Sequence, residues 1–171
     1  CWNTSVIFGE MNYENIEFEK LFSSPECVHS KINQDGEFEA HQSGGRIVAI
    51  NDENILLTIG DYRSRFLAQD ESSVNGKIIS ININDGNYDV MTMGHRNPQG
   101  LLIDKEANII LETEHGPWGG DEINLIEIDK IGKDEIPNYG WAISSAGKHY
   151  DHYSDTEKSI NKKIKYPLYN S

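Results

Sequence analysis

The sequence is short of basic residues and has no long apolar segment. Its 171 residues include 15 Lys and Arg against 28 Asp and Glu, a net charge of −13, and this argues against nucleic acid or an anionic membrane surface as the partner. No apolar run approaches the roughly 20 residues that cross a bilayer, so membrane insertion is not expected. The chain also lacks a GxGxxG fingerprint and a Walker loop, which are common signals of NAD and ATP binding.

Cysteine is scarce as well. The two cysteines, Cys1 and Cys27, do not have the spacing of a metal knuckle. A disulfide between them would suit an exported protein, and two buried free thiols fit the sequence equally well. Cysteine usage therefore leaves the cellular compartment open.

A helical period is missing too, since no stretch sustains 3.6-residue periodicity for three turns. Apolar segments of strand length occur instead, and turns rich in Asn, Asp and Gly separate them. The predicted strands are 6–11, 16–22, 46–50, 55–59, 77–83, 88–93, 100–104, 109–113 and 123–128, with a turn at 12–15. The pattern predicts an all-β chain, with no clear strand in 140–171.

Two segments form a weak internal repeat. Residues 46–58 and 100–112 each contain an apolar strand, a polar turn and a second apolar strand, and the equivalent residues Asn54 and Asn108 lie 54 positions apart (108 − 54). The spacing accommodates about four strands per unit, as in a β-propeller blade of roughly 40–50 residues with insertions. Two unrelated hairpins of similar pattern are the simpler alternative. We predict propeller blades in which the two strands of each copy pair antiparallel.

Propellers avoid exposed strand edges by closing their sheets into a ring, whereas this chain supplies only about two and a half blades. We therefore expect residues 1–171 to be part of a single propeller domain that is truncated at both ends. A mature lipoprotein would also begin with a residue such as Cys1, but truncation is the simpler explanation. Such a fragment is expected to be inactive by itself.

The most specific motif is GHRNPQGL at residues 94–101, where a predicted strand ends, a polar loop turns at Pro98 and a new strand begins. The guanidinium fork of Arg96 and the amide of Asn97 can bind the carboxylates and carbonyls of a ligand. A loop that only supports its neighbouring strands would have the same spacing. The residue pattern alone leaves both interpretations open.

A second motif, TEHGPWGGDEIN at residues 113–124, contains three glycines and a proline, which make its backbone irregular. Carbonyl oxygens that are not used in a strand ladder, next to the carboxylates of Asp121 and Glu122, are hard ligands of the kind that Ca²⁺ takes. The alternative is an acidic pair that merely ends a strand, which is the commoner role of such a pair.

Taken in order, the motifs resemble the soluble glucose/sorbosone dehydrogenases, specifically their aldose sugar dehydrogenase branch. GHRNPQGL and EHGPxGGDEIN are accompanied by further family-like motifs. These are AQD at 68–70, NGKI at 75–78, NYGW at 138–141 and SAGKHY at 145–150. The resemblance extends from about residue 44 to residue 150, and more loosely to the N-terminus.

The resemblance implies a six-bladed β-propeller that binds pyrroloquinoline quinone (PQQ) and Ca²⁺ in a central cleft. By position, Arg96 and Asn97 match the residues that hold the quinone, and His115 is expected to face the cofactor. His95, in the same motif, is expected to be structural. The resemblance also implies a sugar substrate, a separate electron acceptor and a periplasmic or secreted location.

The same resemblance assigns two of the candidate metal ligands. Gly116 and Pro117 match the residues whose backbone carbonyls coordinate Ca²⁺. Asp121 and Glu122, which follow two glycines later in the motif, complete the candidate metal set.

His41, in HQSGGR at 41–46, resembles the catalytic histidine of the family. A neutral imidazole is a suitable base for removing the proton of a sugar C1 hydroxyl at neutral pH. Two features depart from the family pattern: four residues instead of three separate His41 from Arg46, and Ala40 stands where the glucose-oxidising branch has an aspartate that pairs with the base. The first is expected to be a tolerated bulge, and the second to alter substrate choice or base strength.

The sequence therefore predicts a PQQ-dependent oxidoreductase that oxidises the C1 hydroxyl of aldoses to the lactone. The alternative is a non-catalytic propeller that serves as a ligand-binding or protein-docking module. Ala40 and the extra residue after His41 favour the alternative, whereas the intact Arg96, Asn97 and 116–117 positions favour the enzyme. His149 and His152 are expected to lie in a solvated loop.

Overall fold

The computed structural model describes residues 1–132 and 135–148, together with the backbone of 169–170. In this part of the chain, antiparallel strands make up nearly all of the regular structure. The strands are β1 (Ser5–Phe8), β2 (Glu19–Ser23), β3 (Gly44–Ala49), β4 (Asn54–Ile59), β5 (Lys77–Asn82), β6 (Tyr88–Met93), β7 (Pro98–Asp104), β8 (Ile109–Glu114), β9 (Glu122–Glu127) and β10 (Tyr169–Asn170). The helical elements are one α-helical turn, α1 (Phe66–Gln69), and a 3₁₀ turn at Ile128–Lys130.

The strands form three sheets. β1 pairs with β2, and two four-stranded sheets have the orders β3-β4-β5-β6 and β7-β8-β9-β10. Both predicted hairpins of the repeat are confirmed, because Val48 pairs with Leu56 in the first copy and Ile103 pairs with Ile110 in the second. The all-β class and the four strands per repeat unit are confirmed with them.

The two central strands of the middle sheet, β4 and β5, are buried on both faces. On β4, Leu57 packs into a cluster with Val6 and Phe22 of the first sheet, whereas its neighbour Leu56 packs against Ile110 and other residues of the third sheet. Successive side chains of a strand point to opposite faces, so a strand between two cores needs apolar residues at consecutive positions. This explains the uninterrupted apolar run of 55–57.

The structure differs from the sequence prediction mainly at four places. The first strand ends at Phe8 rather than at residue 11, and the second begins at Glu19 rather than at residue 16. Between them, Met11 and Ile16 form only an isolated bridge. The helical turn α1 has four residues, too few to show a period. β10 lies in 140–171, where we predicted no strand, and its two residues are too few to alternate.

The N-terminal segment is closed by a disulfide between Cys1 and Cys27, whose Cα atoms are 5.6 Å apart. This resolves the alternatives that the sequence left open. Backbone hydrogen bonds between Trp2 and Val28, at 2.8 and 2.7 Å, continue the pairing next to the disulfide. None of the helices in the described part of the chain is long and apolar enough to cross a membrane.

The Thr58 hydroxyl is one of the groups that join the second and third sheets. Thr58 Oγ1 donates to the Pro98 carbonyl at 2.7 Å and accepts hydrogen bonds from the backbone N–H groups of Gly45 and Arg46. These contacts lie where the β3–β4 pairing shifts register, between Gly44 and Ile47. The irregularity brings the chain that precedes β3 against the loop that precedes β7.

Candidate functional site

Hydrogen bonds link three of the predicted site loops, which precede β3, precede β7 and follow β8. The Asn97 side-chain oxygen accepts from the Gly44 backbone at 3.1 Å, and its main-chain oxygen accepts from the His115 backbone at 3.2 Å. A fourth segment, after β4, joins them because the Asp61 backbone donates to the Arg96 carbonyl at 2.9 Å. Residues from two neighbouring sheets therefore meet in one constellation.

Arg96 is a nearly buried cation, with 6% of its surface exposed. Its guanidinium donates to the His115 carbonyl at 3.0 Å and lies 5.4 Å from the centre of the Trp141 ring. The Gln42 amide, oriented to satisfy both of its neighbours, accepts from Arg96 at 3.0 Å and donates to Asp61 at 3.3 Å. Within the described residues, Arg96 forms no ion pair with a carboxylate. A buried guanidinium with only neutral direct partners is suited to binding an anionic group.

Asp61 is a buried acid that sequence reasoning missed, because one aspartate after a strand looks like an ordinary strand end. One of its oxygens accepts from the Arg63 backbone at 2.8 Å and the other from the Trp141 indole at 2.7 Å. Burial raises the pKa of Asp61 from 3.8 to about 6, against the opposing effect of these hydrogen bonds and of the Arg96 charge. Its position two residues after the buried, apolar β4 was the available signal.

His41 lies beside this constellation and is largely in solvent, with 73% of its side chain exposed. Its Nδ1 atom is 3.3 Å from a Glu39 oxygen, and the other Glu39 oxygen is 3.3 Å from Arg63. The next residue, Gln42, connects the His41 loop to Arg96. The structure thus brings the loop of His41 to the site, without a hydrogen bond between the imidazole and the predicted cofactor residues.

The loop after β8 folds tightly on itself. The Gly116 backbone donates to Asp121 Oδ1 at 3.0 Å, and the Gly120 backbone donates to the Pro117 carbonyl at 2.9 Å. A Cβ atom on Gly116 would lie 1.7 Å from the Gly120 carbonyl oxygen, so only glycine fits there. Asp121 is therefore held against the turn that carries the predicted carbonyl ligands, and carboxylate and carbonyl oxygens are the ligand types that hard cations take.

His115 and Glu122 border the same turn. The His115 side chain is 58% exposed, and its Nδ1 atom lies 3.7 Å from Asp121 Oδ1. Glu122 is the first residue of β9, pairs with Glu114 and lines a shallow cavity with His115 and Thr113. Burial, and secondarily the charge of Glu114, raises the pKa of Glu122 to about 7. No hydrogen bond joins Glu122 to the 116–117 turn in the described part of the chain.

The remaining motifs of the sequence hold one another in place. The side chains of Gln69 and Asn138 exchange two hydrogen bonds, of 2.7 and 3.1 Å, and Gln69 also donates to the Trp141 carbonyl. Lys77 is fully buried, and its ammonium group donates to the carbonyls of Leu67, Ala68 and Asn75. The AQD, NGKI and NYGW motifs therefore form a support that positions Trp141.

His95 is completely buried and stacks on Tyr139 with ring centres 5.0 Å apart, as expected for a structural residue. Its Nδ1 atom lies 3.0 Å from Glu114, and its Nε2 atom lies 2.9 Å from Thr92 Oγ1. His149 and His152 lie outside the described residues.

Comparison with known families and curated proteins gives consistent matches. The model of the Glucose / Sorbosone dehydrogenase family matches residues 12–170. The aldose sugar dehydrogenase YliI of Escherichia coli is 31% identical over 127 residues, which cover 67% of this chain and 32% of that protein. The quinoprotein glucose dehydrogenase B of Acinetobacter calcoaceticus is 33% identical over 156 residues, which cover 73% of this chain and 31% of that protein.

Solved structures match over most of the chain. The soluble aldose sugar dehydrogenase of Escherichia coli in its apo form superimposes with a TM-score of 0.72 at 24% identity, over 97% of this chain and 48% of that chain. The PQQ-bound form of the aldose sugar dehydrogenase of Streptomyces coelicolor gives a TM-score of 0.56 at 25% identity, over 75% of this chain and 35% of that chain. The likeness confirms the partial β-propeller. The chain spans about a third of the length of these curated relatives and about half of the first structure.

Proposed function

Because the chain belongs to the glucose/sorbosone dehydrogenase family, we propose that the full-length protein is a sugar dehydrogenase that uses PQQ and Ca²⁺. The proposed reaction oxidises the C1 hydroxyl of an aldose to the lactone and delivers two electrons to a separate acceptor. PQQ, when bound, supplies the two-electron acceptor for the hydride of C1. The names of the two curated relatives and of the PQQ-bound structure support this substrate class and cofactor.

The proposal depends mainly on the surroundings of Arg96. Its buried guanidinium has neutral acceptors from His115 and Gln42 and a Trp141 ring beside it, but no carboxylate ion pair within the described residues. An anionic quinone with carboxylate groups would supply the missing charge in a site where water is largely excluded. Charge-assisted hydrogen bonds of this kind are about twice as strong as neutral ones. Asn97 is proposed as a second contact, held in place by its bond to Gly44.

The turn that follows β8 fits a calcium site. The carbonyls of Gly116 and Pro117 lie outside the strand ladder. The Pro117 carbonyl oxygen accepts one hydrogen bond, from Gly120, and keeps a second lone pair for a metal. Asp121 adds a half-exposed carboxylate next to them. We propose these three residues as the core of the metal set, with His115 facing the cofactor. Glu122 is proposed as a more remote ligand, since it lies in β9.

His41 is proposed as the base that removes the proton of the C1 hydroxyl. Glu39 lies 3.3 Å from its Nδ1 atom, and this contact favours the tautomer with the proton on Nδ1. Nε2 then carries the lone pair that accepts the substrate proton. Glu39 would thus orient the imidazole in place of the aspartate that the glucose-oxidising branch has at the position of Ala40.

A non-catalytic propeller is the second candidate, and the exposure of His41 favours it. In that case the protein would bind PQQ and Ca²⁺ through Arg96 and the 116–117 turn without oxidising sugars. The two candidates therefore make the same prediction for cofactor binding and opposite predictions for turnover.

We also propose a periplasmic or secreted location. The disulfide between Cys1 and Cys27 supports it, because disulfides persist mainly in oxidising compartments.

Reconstitution of the full-length protein tests the function. Protein freed of metal with a chelator is supplied with PQQ and Ca²⁺, separately and together, and reduction of an artificial electron-accepting dye is measured with a series of aldoses. We expect turnover only with both PQQ and Ca²⁺, and lactone as the product. A protein that binds PQQ but reduces no dye with any aldose would be the non-catalytic candidate. A protein that does not bind PQQ would contradict both of these candidates and leave only a protein-docking propeller.

A further inference from the structure

Beneath the cofactor loops, β8, β9 and the start of the 94–97 loop bury a group of polar side chains. His95, Glu112 and Asn124 are fully buried, and Glu114 is nearly so. One ligand atom each of His95, Glu112 and Glu114 lies within 4.8 Å of the others. This group is separate from the Gly116–Asp121 turn, and the proposed dehydrogenase chemistry does not use it.

The distances within the group are those of a coordination shell. His95 Nδ1 lies 3.0 Å from Glu114 Oε1 and 3.8 Å from Glu112 Oε2. Two ligand atoms bound tetrahedrally to one Zn²⁺ at its usual bond lengths are about 3.4 Å apart. The observed separations bracket this value, so a small cation placed among the three atoms needs only small side-chain adjustments.

The group also has unsatisfied oxygens and uncompensated charge. Glu112 Oε1 and Asn124 Oδ1 are buried without a hydrogen-bond partner in the described part of the chain. His95 is the one basic side chain that pairs with Glu112 and Glu114 in that part, where no Lys or Arg forms an ion pair with them. Even a protonated imidazole would therefore leave one of the two carboxylates without a counter-charge. A buried carboxylate without a counter-charge is strongly unfavourable, because burial removes its hydration. A cation bound to both oxygens of Glu112 would remove the largest of these costs.

We propose that His95, Glu112 and Glu114 bind a Zn²⁺-type transition-metal cation as a structural site. The imidazole nitrogen distinguishes this site from one for Ca²⁺, which takes oxygen ligands. Thr92 Oγ1, 2.9 Å from Nε2, accepts the other ring proton and leaves the Nδ1 lone pair for the metal. In the structure, Asn124 Nδ2 donates to both carboxylates, to Glu112 at 2.9 Å and to Glu114 at 3.1 Å. Rotation of this amide by 180° would direct its unpartnered oxygen to the metal as a fourth ligand.

The site would have a mechanical effect on the cofactor loops. The second oxygen of Glu114 accepts a 2.5 Å hydrogen bond from the Arg96 backbone. A metal bound to Glu114 and His95 therefore fixes the chain on which the Arg96 guanidinium is carried. Because the group is buried, it has no room for a substrate, so the metal is structural rather than catalytic.

A proton is the alternative occupant. Burial, and secondarily the charge of Glu114, raises the pKa of Glu112 well above its ordinary value. A protonated Glu112 would relieve the repulsion between the carboxylates without any metal. The two occupants differ in a measurable way, since only a metal binds with a stoichiometry and affinity of its own.

Metal titration of the full-length protein, without an affinity tag, tests the proposal. Protein stripped with a chelator is saturated with Ca²⁺, and Zn²⁺ is then titrated against a competing chromophoric chelator. We expect one Zn²⁺ per protein, and affinity at least about 100-fold weaker in Glu112→Gln. Glu106→Gln, in the exposed turn between β7 and β8, is the matched control and should bind Zn²⁺ as the wild type does.

Absorption spectroscopy at the zinc edge of the wild-type protein covers the case in which Glu112→Gln does not fold. We expect one imidazole and several oxygens around the metal. The proposal is overturned if the Ca²⁺-saturated wild type binds no Zn²⁺, if Glu112→Gln binds it equally tightly, or if the shell lacks imidazole. Each of these results leaves a protonated Glu112 as the explanation. None of them bears on the dehydrogenase proposal, which PQQ-dependent turnover decides.

Discussion

The indole of Trp141 donates a 2.7 Å hydrogen bond to Asp61 Oδ2, although the two residues are 80 positions apart. The face of the same ring lies 5.4 Å from the Arg96 guanidinium. Trp141 thus contacts both the buried Asp61 carboxyl and the buried Arg96 guanidinium, and Gln69 fixes its position. The charge state of Asp61 is therefore coupled to the part of the molecule that carries the proposed cofactor contact.

Asp61 should make stability depend on pH. Its pKa of about 6 exceeds the ordinary value of 3.8, so the folded state binds this proton more tightly than the unfolded state does. The free energy of unfolding should therefore fall as pH rises between these two values, by about 3 kcal/mol for this group alone. The stabilisation is fully present below about pH 4 and lost above about pH 6.

Urea unfolding of the full-length protein at several pH values checks this expectation. Asp61→Asn should show a fall that is smaller by about 3 kcal/mol across that interval, because the amide does not titrate, whereas Glu112 and Glu122, whose pKa values are also raised, keep contributing to it. Asp52→Asn, at an exposed position in the β3–β4 turn, should retain the full fall. Equal pH dependence in all three proteins would show that Asp61 titrates at its ordinary value.

His41→Ala should lower kcat by about 10²–10⁴-fold and leave PQQ and Ca²⁺ binding intact, because a base acts in the transition state and holds no cofactor. Steady-state dye reduction by the cofactor-loaded protein measures the effect. His29→Ala, at another exposed histidine, should be unaffected. A His41→Ala enzyme with near-wild-type kcat would remove His41 from the mechanism.

Arg96→Ala should weaken PQQ binding by roughly 10–100-fold, since a hydrogen bond to a charged group contributes about 1.5–3 kcal/mol. Absorbance titration of the metal-loaded protein with PQQ gives the affinity. Arg46→Ala is the matched control, because Arg46 is exposed and its side chain donates to the Gln99 carbonyl instead. Unchanged PQQ affinity in Arg96→Ala would refute the proposed anion contact.

Gly116→Ala should weaken Ca²⁺ binding by about tenfold or more, because the added methyl would lie 1.7 Å from the Gly120 carbonyl oxygen and force the turn open. Calorimetric titration with Ca²⁺ measures the loss. Gly36→Ala provides the comparison: nothing lies within 4 Å of its Cβ position, and its φ of +69° makes it a purely conformational change. Wild-type Ca²⁺ affinity in Gly116→Ala would place the metal elsewhere.

Removing the disulfide should lower the free energy of unfolding. Cys1 and Cys27 are 26 positions apart, and closing a loop of this length in the unfolded chain is worth about 3–4 kcal/mol. Urea unfolding of the Cys1→Ser, Cys27→Ser double variant should show this loss. Reducing agent should destabilise the wild type to the level of the variant and leave the variant unchanged; a variant as stable as the oxidised wild type would contradict the expectation.

The sequence predicted the fold well because most strand pairs are hairpins, whose apolar strands and polar turns lie close together in the sequence. The 46–58 and 100–112 copies each contain a whole hairpin, so their apolar runs and polar turns were sufficient to predict the pairing. The same patterns predicted nothing about α1, since Phe66–Gln69 is held by Lys77 and other distant groups rather than by a period of its own.

The candidate site was predictable only in part. Motif order identified Arg96 and Asn97, but not their environment, because the partners of Arg96 come from residues 42, 115 and 141. Asp61 and Glu39 were missed for the same reason, since their roles depend on contacts with Trp141 and His41 that only the folded chain creates. The pairing of Cys1 with Cys27 likewise required the geometry of the N-terminal segment.

Thr58 has a consequence for recombination between related enzymes. Its hydroxyl satisfies Gly45, Arg46 and Pro98 at once, so the blade that contains β4 carries half of a joint whose other half belongs to the next blade. In a chimera that exchanges only one of these two blades, the Thr58 hydroxyl and the Pro98 carbonyl come from different parents, and their hydrogen bond is no longer assured. We expect functional hybrids to arise where the crossover keeps residues 44–58 and 96–98 from the same parent. Recombination should therefore exchange the contact region between two blades as a whole rather than a single blade.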